Sequence, residues 1–194
     1  LNFGFATTEI EDVAGFDSPL DVITLQLGAY GGYSTGNLGI EAYAGAGFND
    51  FEAERNINVG SYTSSADADW SGLHYNASLR AGYDIAMGEK FWLRPAVSLD
   101  YMRLKENAYE ESGETGVALS VDERTSEMGG VTAMLNFGTE FKSARSWIRP
   151  SLRVGYRNEF INDGVVTNYR FVGLIPGAML TSAECPESGI LVGF

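Results

Sequence analysis

Cysteine and histidine are almost missing from this chain. One cysteine, Cys185, excludes an intramolecular disulfide framework, and one histidine, His74, excludes any multi-histidine metal site. Positive charge is scarce: 13 Lys and Arg stand against 26 Asp and Glu, a net charge of −13, which excludes the basic footprint a nucleic-acid partner needs. No run approaches the ~18 consecutive apolar residues of a transmembrane helix. No basic segment followed by an apolar stretch opens the chain, so the first residues do not read as a signal peptide. The opening "LNFGFA" reads as strand already under way, and the chain is expected to be a mature or truncated piece. Helical periodicity is also hard to find.

What remains is 194 residues, 44% of them hydrophobic, with 24 glycines and 12% aromatics. That is enough material for one sizeable domain and too apolar for disorder. Glycine relieves crowding between twisted strands and aromatics suit pleated surfaces, so the mixture favours an all-β chain.

Apolar and polar residues alternate with the period of a strand almost everywhere. In "LHYNASLRAGYDI" (73–85), Leu73, Tyr75, Ala77, Leu79, Ala81, Tyr83 and Ile85 fall on one side, opposite His74, Asn76, Ser78, Arg80, Gly82 and Asp84. The pattern repeats over 22–33, 38–48, 91–101, 131–141 and 147–160. These runs are longer than the ~5–6 residues of ordinary strands and match the ~9–11 residues of a tilted membrane-crossing strand. Phe91 and Tyr101 share a face ten residues apart. At about 3.3 Å per residue and a tilt of about 40°, they bracket about 25 Å of height, the thickness of an apolar band between aromatic girdles. Tyr75 and Tyr83 bracket Ala77, Leu79 and Ala81 in the same manner. Pro95 and Pro150 fall inside such runs and are expected near strand starts, where a missing N–H costs least.

Tight turns are expected at 34–37, 87–90 and 142–146, and long polar loops at 8–20, 50–69, 106–126 and 161–188. Short and long connections then alternate, which puts tight turns at one rim and long loops at the other, as in outer-membrane barrels. A soluble lipocalin-like barrel is the alternative. The two differ in which face meets water.

Charges on the polar faces are Glu41, Arg80, Asp84, Arg94, Asp100, Glu140, Arg149, Arg153 and Arg157. In a membrane barrel these nine would line the lumen, where opposite signs from neighbouring strands can pair. The row Arg149, Arg153, Arg157 is the densest, suited to an ion-pair network or to contact with a polypeptide or anion in transit. "DADW" (67–70) is too short for a metal motif, and the glycine-rich "GAYGG" and "YAGAGF" precede no helix that would cradle phosphate. A serine nucleophile would need His74 as its base, and nothing assembles around it in sequence. No catalytic, cofactor or metal residue is expected.

In order, "LQLGAYGGYSTGNLGIEAYAGAGFNDFEAERNI", "ADADWSGLHYNASLRAGYDI", "FWLRPAVSLDYMRLKENAYEESGETGVALSVDERTSE" and "IRPSLRVGYRNEF" resemble the β-domain of autotransporters, the translocator of type V secretion. The resemblance spans nearly all of residues 1–194. It implies an antiparallel up-and-down transmembrane β-barrel of twelve strands in the Gram-negative outer membrane. About eight are represented here, those at both ends of the domain being absent. It implies a non-enzymatic anchor that brings an N-terminal passenger to the cell surface. The partners it implies are that passenger, outer-membrane lipid and lipopolysaccharide, and the barrel-assembly machinery. A complete small outer-membrane adhesin and a barrel-embedded hydrolase are the alternatives.

Overall fold

The computed structural model describes residues 1–13, 16–114, 116–142, 146–163, 166–173, 178–181 and 188–193. Among these, every regular element is a strand. One antiparallel sheet holds eight strands in chain order, β1 (Asn2–Val13), β2 (Phe16–Thr35), β3 (Leu38–Val59), β4 (Tyr62–Tyr83), β5 (Phe91–Glu106), β6 (Arg124–Thr139), β7 (Ser151–Asp163) and β8 (Ser188–Gly193), with two short flanking pieces, Ile85–Met87 and Ser112–Gly113, paired to β5 and β4. This is the up-and-down order of a barrel wall. Among the described residues β1 and β8 do not pair with each other, so the sheet is open between them.

Two of the four expected long loops are strands. Residues 50–69 extend the β3–β4 hairpin, with Val59 opposite Tyr62 across a turn in which Gly60 takes a φ of +63° that other residues rarely adopt. Residues 8–20 extend β1 and β2, which pair as far as Val13 and Phe16. Their polarity suggested loops. A polar segment still makes ladder bonds in water, however, and each strand continues past the apolar run. Long connections do follow β5 and β7, at the same end as these hairpin tips. Pieces of them, Tyr109–Glu110, Leu119–Val121, Val166–Phe171 and Ala178–Thr181, pair into a second, four-stranded sheet. At the opposite end, Gly36 and Gly88 sit in tight turns with positive φ. Pro95 lies within β5 just beyond the point where its ladder with β4 stops at Gly82–Ala96, so its missing N–H breaks nothing on that side. Pro150 precedes β7 directly. Cys185 lies outside the described residues.

The faces of this sheet are reversed relative to a soluble protein. One face carries Ile23, Leu25, Leu27, Phe48, Leu73, Tyr75, Leu79, Tyr83, Val97, Leu99, Leu135, Leu152 and Val154, each 43–66% exposed. The other buries polar groups: Asn49, His74, Thr132 and Asn136 are all 5–7% exposed. Soluble monomers rarely expose so large a continuous apolar surface.

The reversal ends around one row. Thr24, Asn49 and Gly72 lie side by side on β2, β3 and β4. On the turn side of that row the apolar face continues through Leu25, Phe48 and Leu73. On the tip side, the same outer face becomes acidic: Asp21, Glu52 and Asp69 stand in direct cross-strand register, flanked by Asp50, Glu54 and Asp67. The inner face changes in the opposite sense, from polar Asn49 and His74 to buried Phe51, Ala66 and Trp70. Beyond the row the hairpins therefore pack as a soluble protein does, dry inside and charged outside. On β5 and β6 the outer face turns charged slightly earlier, at Arg103 and Lys105, which pair with Glu127 and Glu123 at 3.3 and 3.0 Å.

Candidate functional site

The polar face is built by alternation, and glycines on it give long side chains room to cross a strand. Thr24 donates to Asn49 Oδ1 at 2.9 Å, which leaves the Asn49 amide to donate to His74 Nδ1 at 2.9 Å. His74 must then carry its proton on Nε2 and donate to Gln26 Oε1 at 3.3 Å, while Gln26 donates to the Tyr43 hydroxyl. One directional chain of hydrogen bonds thus ties β2, β3 and β4 together. The Tyr43 ring lies over Gly28 and Gly45, where an added Cβ would collide with it.

The nine charged residues predicted from sequence are arranged as follows. Arg157 makes a bidentate pair with Asp100 at 2.8 and 2.6 Å and also donates to Glu159 at 3.0 Å. Asp100 is on β5 and Arg157 on β7, with β6 between them. The reach is possible because Gly130 of β6 has no side chain: a Cβ there would stand 2.7 Å from Arg157 Nη2. Arg94 donates to Asp84 at 3.0 Å. Arg153 donates to Asn136 Oδ1 at 2.8 Å, and Arg149 lies 4.7 Å above the Trp92 ring. Glu41 and Arg80 are register partners on β3 and β4. Glu140 accepts from Trp147 near the tight-turn rim. The Arg149–Arg153–Arg157 row therefore divides its attention among an aromatic ring, an amide and two carboxylates.

A second cluster, which apart from Trp70 the sequence reading assigned to loops, sits at the tip side of the same face. Trp70 stacks between Phe51 at 5.1 Å and Tyr109 at 4.4 Å. Its indole N–H donates to Glu106 at 3.0 Å, and Glu106 accepts two further bonds from Arg124. Glu111 accepts two bonds from Arg55 and one from the Leu119 N–H. Both glutamates are buried. The carboxylates raise the pKa of Arg55 and Arg124 above the usual guanidinium range, and burial pushes the Tyr109 hydroxyl up from its ordinary 10.0. The signal that could have revealed this cluster is phase: Glu106 is in step with Asp100 and Asn76 on the polar face. Among the described residues no group of three His, Cys, Asp or Glu side chains is arranged to hold a metal ion.

The face as a whole is a polar wall with paired charges and an aromatic and ion-pair cluster at its tip side, backed by an apolar surface. A model of the autotransporter beta-domain family matches residues 1–183. In sequence the chain is also similar to a curated Pseudomonas putida protein described as an uncharacterized protein in the trpE-trpG intergenic region. The two are 29% identical over 124 residues, 62% of this chain and 21% of that protein. The chain thus spans about a fifth of that relative's length.

Proposed function

Since the chain belongs to the autotransporter β-domain family, an outer-membrane β-barrel family of type V secretion, we propose that it is wall of a translocator that anchors and surface-displays an N-terminal passenger. One observation carries this reading: polarity reverses across both faces in neighbouring rows around Thr24–Asn49–Gly72. Lipid against the outer face and water against the inner face account for the turn side of that row, and water outside accounts for the acidic tip side. No soluble environment suits both halves of the same strands. The inner face then lines the lumen. The residues Glu41, Arg80, Asp84, Arg94, Asp100, Glu140, Arg149, Arg153 and Arg157 act there as wall charges, most held by partners, over which a polypeptide slides without a deep electrostatic trap. Lipid with lipopolysaccharide is the partner of the outer face, and the assembly machinery inserts the whole.

The hydrolase alternative loses support because His74 is engaged on both ring nitrogens by amides, with no hydroxyl or carboxylate among its hydrogen-bond partners in the described residues. The test is surface display by the full gene product carrying an epitope tag ahead of residue 1. Tag exposed on intact cells, together with heat-modifiable migration of the barrel, is expected. Heat-modifiable barrel with the tag retained inside would leave the complete small barrel as the reading, and an unmodifiable, soluble product would end the membrane assignment.

A further inference from the structure

We infer that Arg103 and Lys105, at the tip-side edge of the apolar band on β5, form a site for the phosphate of an outer-leaflet lipid whose acyl chains lie on the apolar face beside them. The inference deepens the membrane reading of the outer face and rests on it.

Placement comes first. By register, Arg55, Arg80, Arg94, Arg124, Arg153 and Arg157 all share the polar face of the sheet. Among the described residues, Arg103 and Lys105 are the only basic residues of β1–β8 on the outer face. Two residues apart, they put both side chains on one side of β5 with Cα atoms about 7 Å apart. Arg103 lies opposite Tyr75 and Lys105 opposite Leu73, where the apolar face of β4 ends. Both side chains are 46% exposed. That suits residues whose apolar stems stay with the band and whose charged heads reach water.

Charge then selects the partner. Elsewhere along this edge, β2–β4 present Asp21, Glu52 and Asp69, which repel an anionic headgroup. Glu127 and Glu123 pair with Arg103 and Lys105 at 3.3 and 3.0 Å, but these are exposed, solvent-screened contacts of the weak kind. Arg103 meets Glu127 through Nε, which leaves its amino groups with no carboxylate among the described residues. A phosphate offers more charge and three acceptor oxygens. It can engage the Arg103 fork bidentately and Lys105 as a point charge, and so displace the two carboxylates toward water. Leu73, Tyr75, Leu79 and Leu99, each 47–49% exposed on the same face, supply the surface for acyl chains. A free phosphate lacks that second half of the contact.

Lipid binding by the full gene product tests this. The protein is refolded in detergent and titrated with bisphosphorylated lipid A, and bound lipid is counted by native mass spectrometry. EDTA is present, so that the acidic edge holds no lipid through divalent cations. Arg103→Gln with Lys105→Gln is expected to weaken binding by about tenfold. Lys90→Gln, a charge loss at the opposite rim, should bind as the parent does. Dephosphorylated lipid A should bind the parent no better than lipid A binds the double variant. Equal binding by the double variant, or by the dephosphorylated lipid, overturns the site but leaves the membrane reading, since lipid still binds. Inorganic phosphate that displaces equimolar lipid A overturns the lipid assignment. Should the double variant fail to assemble, Glu127→Gln with Glu123→Gln decides. Loss of the competing carboxylates should tighten lipid A binding, and an unchanged or lower affinity overturns the inference. A parent that takes up no lipid and shows no heat-modifiable form removes the membrane reading, and the site with it.

Discussion

Replacing Leu99 with arginine separates a lipid-facing surface from a merely exposed one. Leu99 and its register partner Leu79 are both 47% exposed and lie six residues from the Leu73 row that begins the apolar band on β4. At about 3.3 Å per residue and a tilt near 40°, six residues are about 15 Å of depth, close to the middle of a band about 25 Å thick. An arginine there costs about 2–4 kcal/mol in lipid, or roughly 30- to 1,000-fold in the folding equilibrium at about 1.4 kcal/mol per decade. In water the same half-exposed position would cost no more than about 0.5 kcal/mol. Ser98→Arg, one residue away on the polar face, is the control, because its side chain has water in either case. The assay is denaturant unfolding of the protein refolded into lipid vesicles, followed by tryptophan fluorescence with heat-modifiable migration as a second probe. Leu99→Arg should be destabilised by the full amount, and Tyr75→Arg, near the edge of the band, by about 0–1 kcal/mol. If Leu99→Arg and Ser98→Arg unfold at the same denaturant concentration, the outer face does not meet lipid and the reversed-barrel argument fails.

The Asp100–Arg157 pair should depend on Gly130. A double-mutant cycle with Asp100→Asn and Arg157→Gln is expected to show a coupling of about 0.5–3 kcal/mol in the parent, and essentially none in a Gly130→Val background, where a side chain blocks the crossing. Gly45→Val should slow or weaken assembly by about 1–3 kcal/mol through overpacking against Tyr43. Tyr43→Ala in the same chain should recover part of the loss, measured by the fraction reaching the heat-modifiable form. Burial raises the Tyr109 pKa above 10.0, so the unfolded chain releases that proton first as pH rises. Order contributed by neutral Tyr109 is therefore complete below about pH 10 and declines as pH climbs toward the raised value. Protease cleavage within 107–123 should increase over that range, and Tyr109→Phe should remove this part of the pH dependence.

Much of the wall was legible in the sequence because alternation is a local signal. Leu73 to Ile85 fixes two faces without knowledge of any neighbour, and strand length then favours the reading in which the apolar face looks outward. Partners were not legible, since they depend on register between strands far apart in sequence. Nothing local says that Arg157 would cross β6 to Asp100, or that Arg153 would choose Asn136. The tip-side cluster was missed for a different reason. Residues 50–69 and 106–126 are polar enough to read as solvated loops, yet Phe51 and Tyr109 among them stack on neighbouring Trp70, and Phe51, Ala66 and Trp70 are buried.

The sequence carries a finer signal. Along β4 the apolar residues occupy odd positions from Leu73 onward but even positions before it, at Ala66, Ala68 and Trp70, while the acids Asp67 and Asp69 take the odd ones. Along β3 the phase changes between Phe48 and Phe51, and along β2 between Val22 and Ile23. A single strand with such a slip would suggest a bulge. Pairing rules that out for β2, β3 and β4, whose mutual register runs unbroken through the changes and aligns them in neighbouring rows. The backbone does not shift; the surroundings do. Three strands changing phase together mark a plane where the solvent of each face is exchanged, which is what a membrane surface imposes and a packing defect does not. The plane also accounts for the charge. Carboxylates facing one another at Asp21, Glu52 and Asp69 would be intolerable in lipid, and they lie just outside it, where water screens them. The dry cluster on the opposite face supplies the cohesion that these repelling side chains cannot.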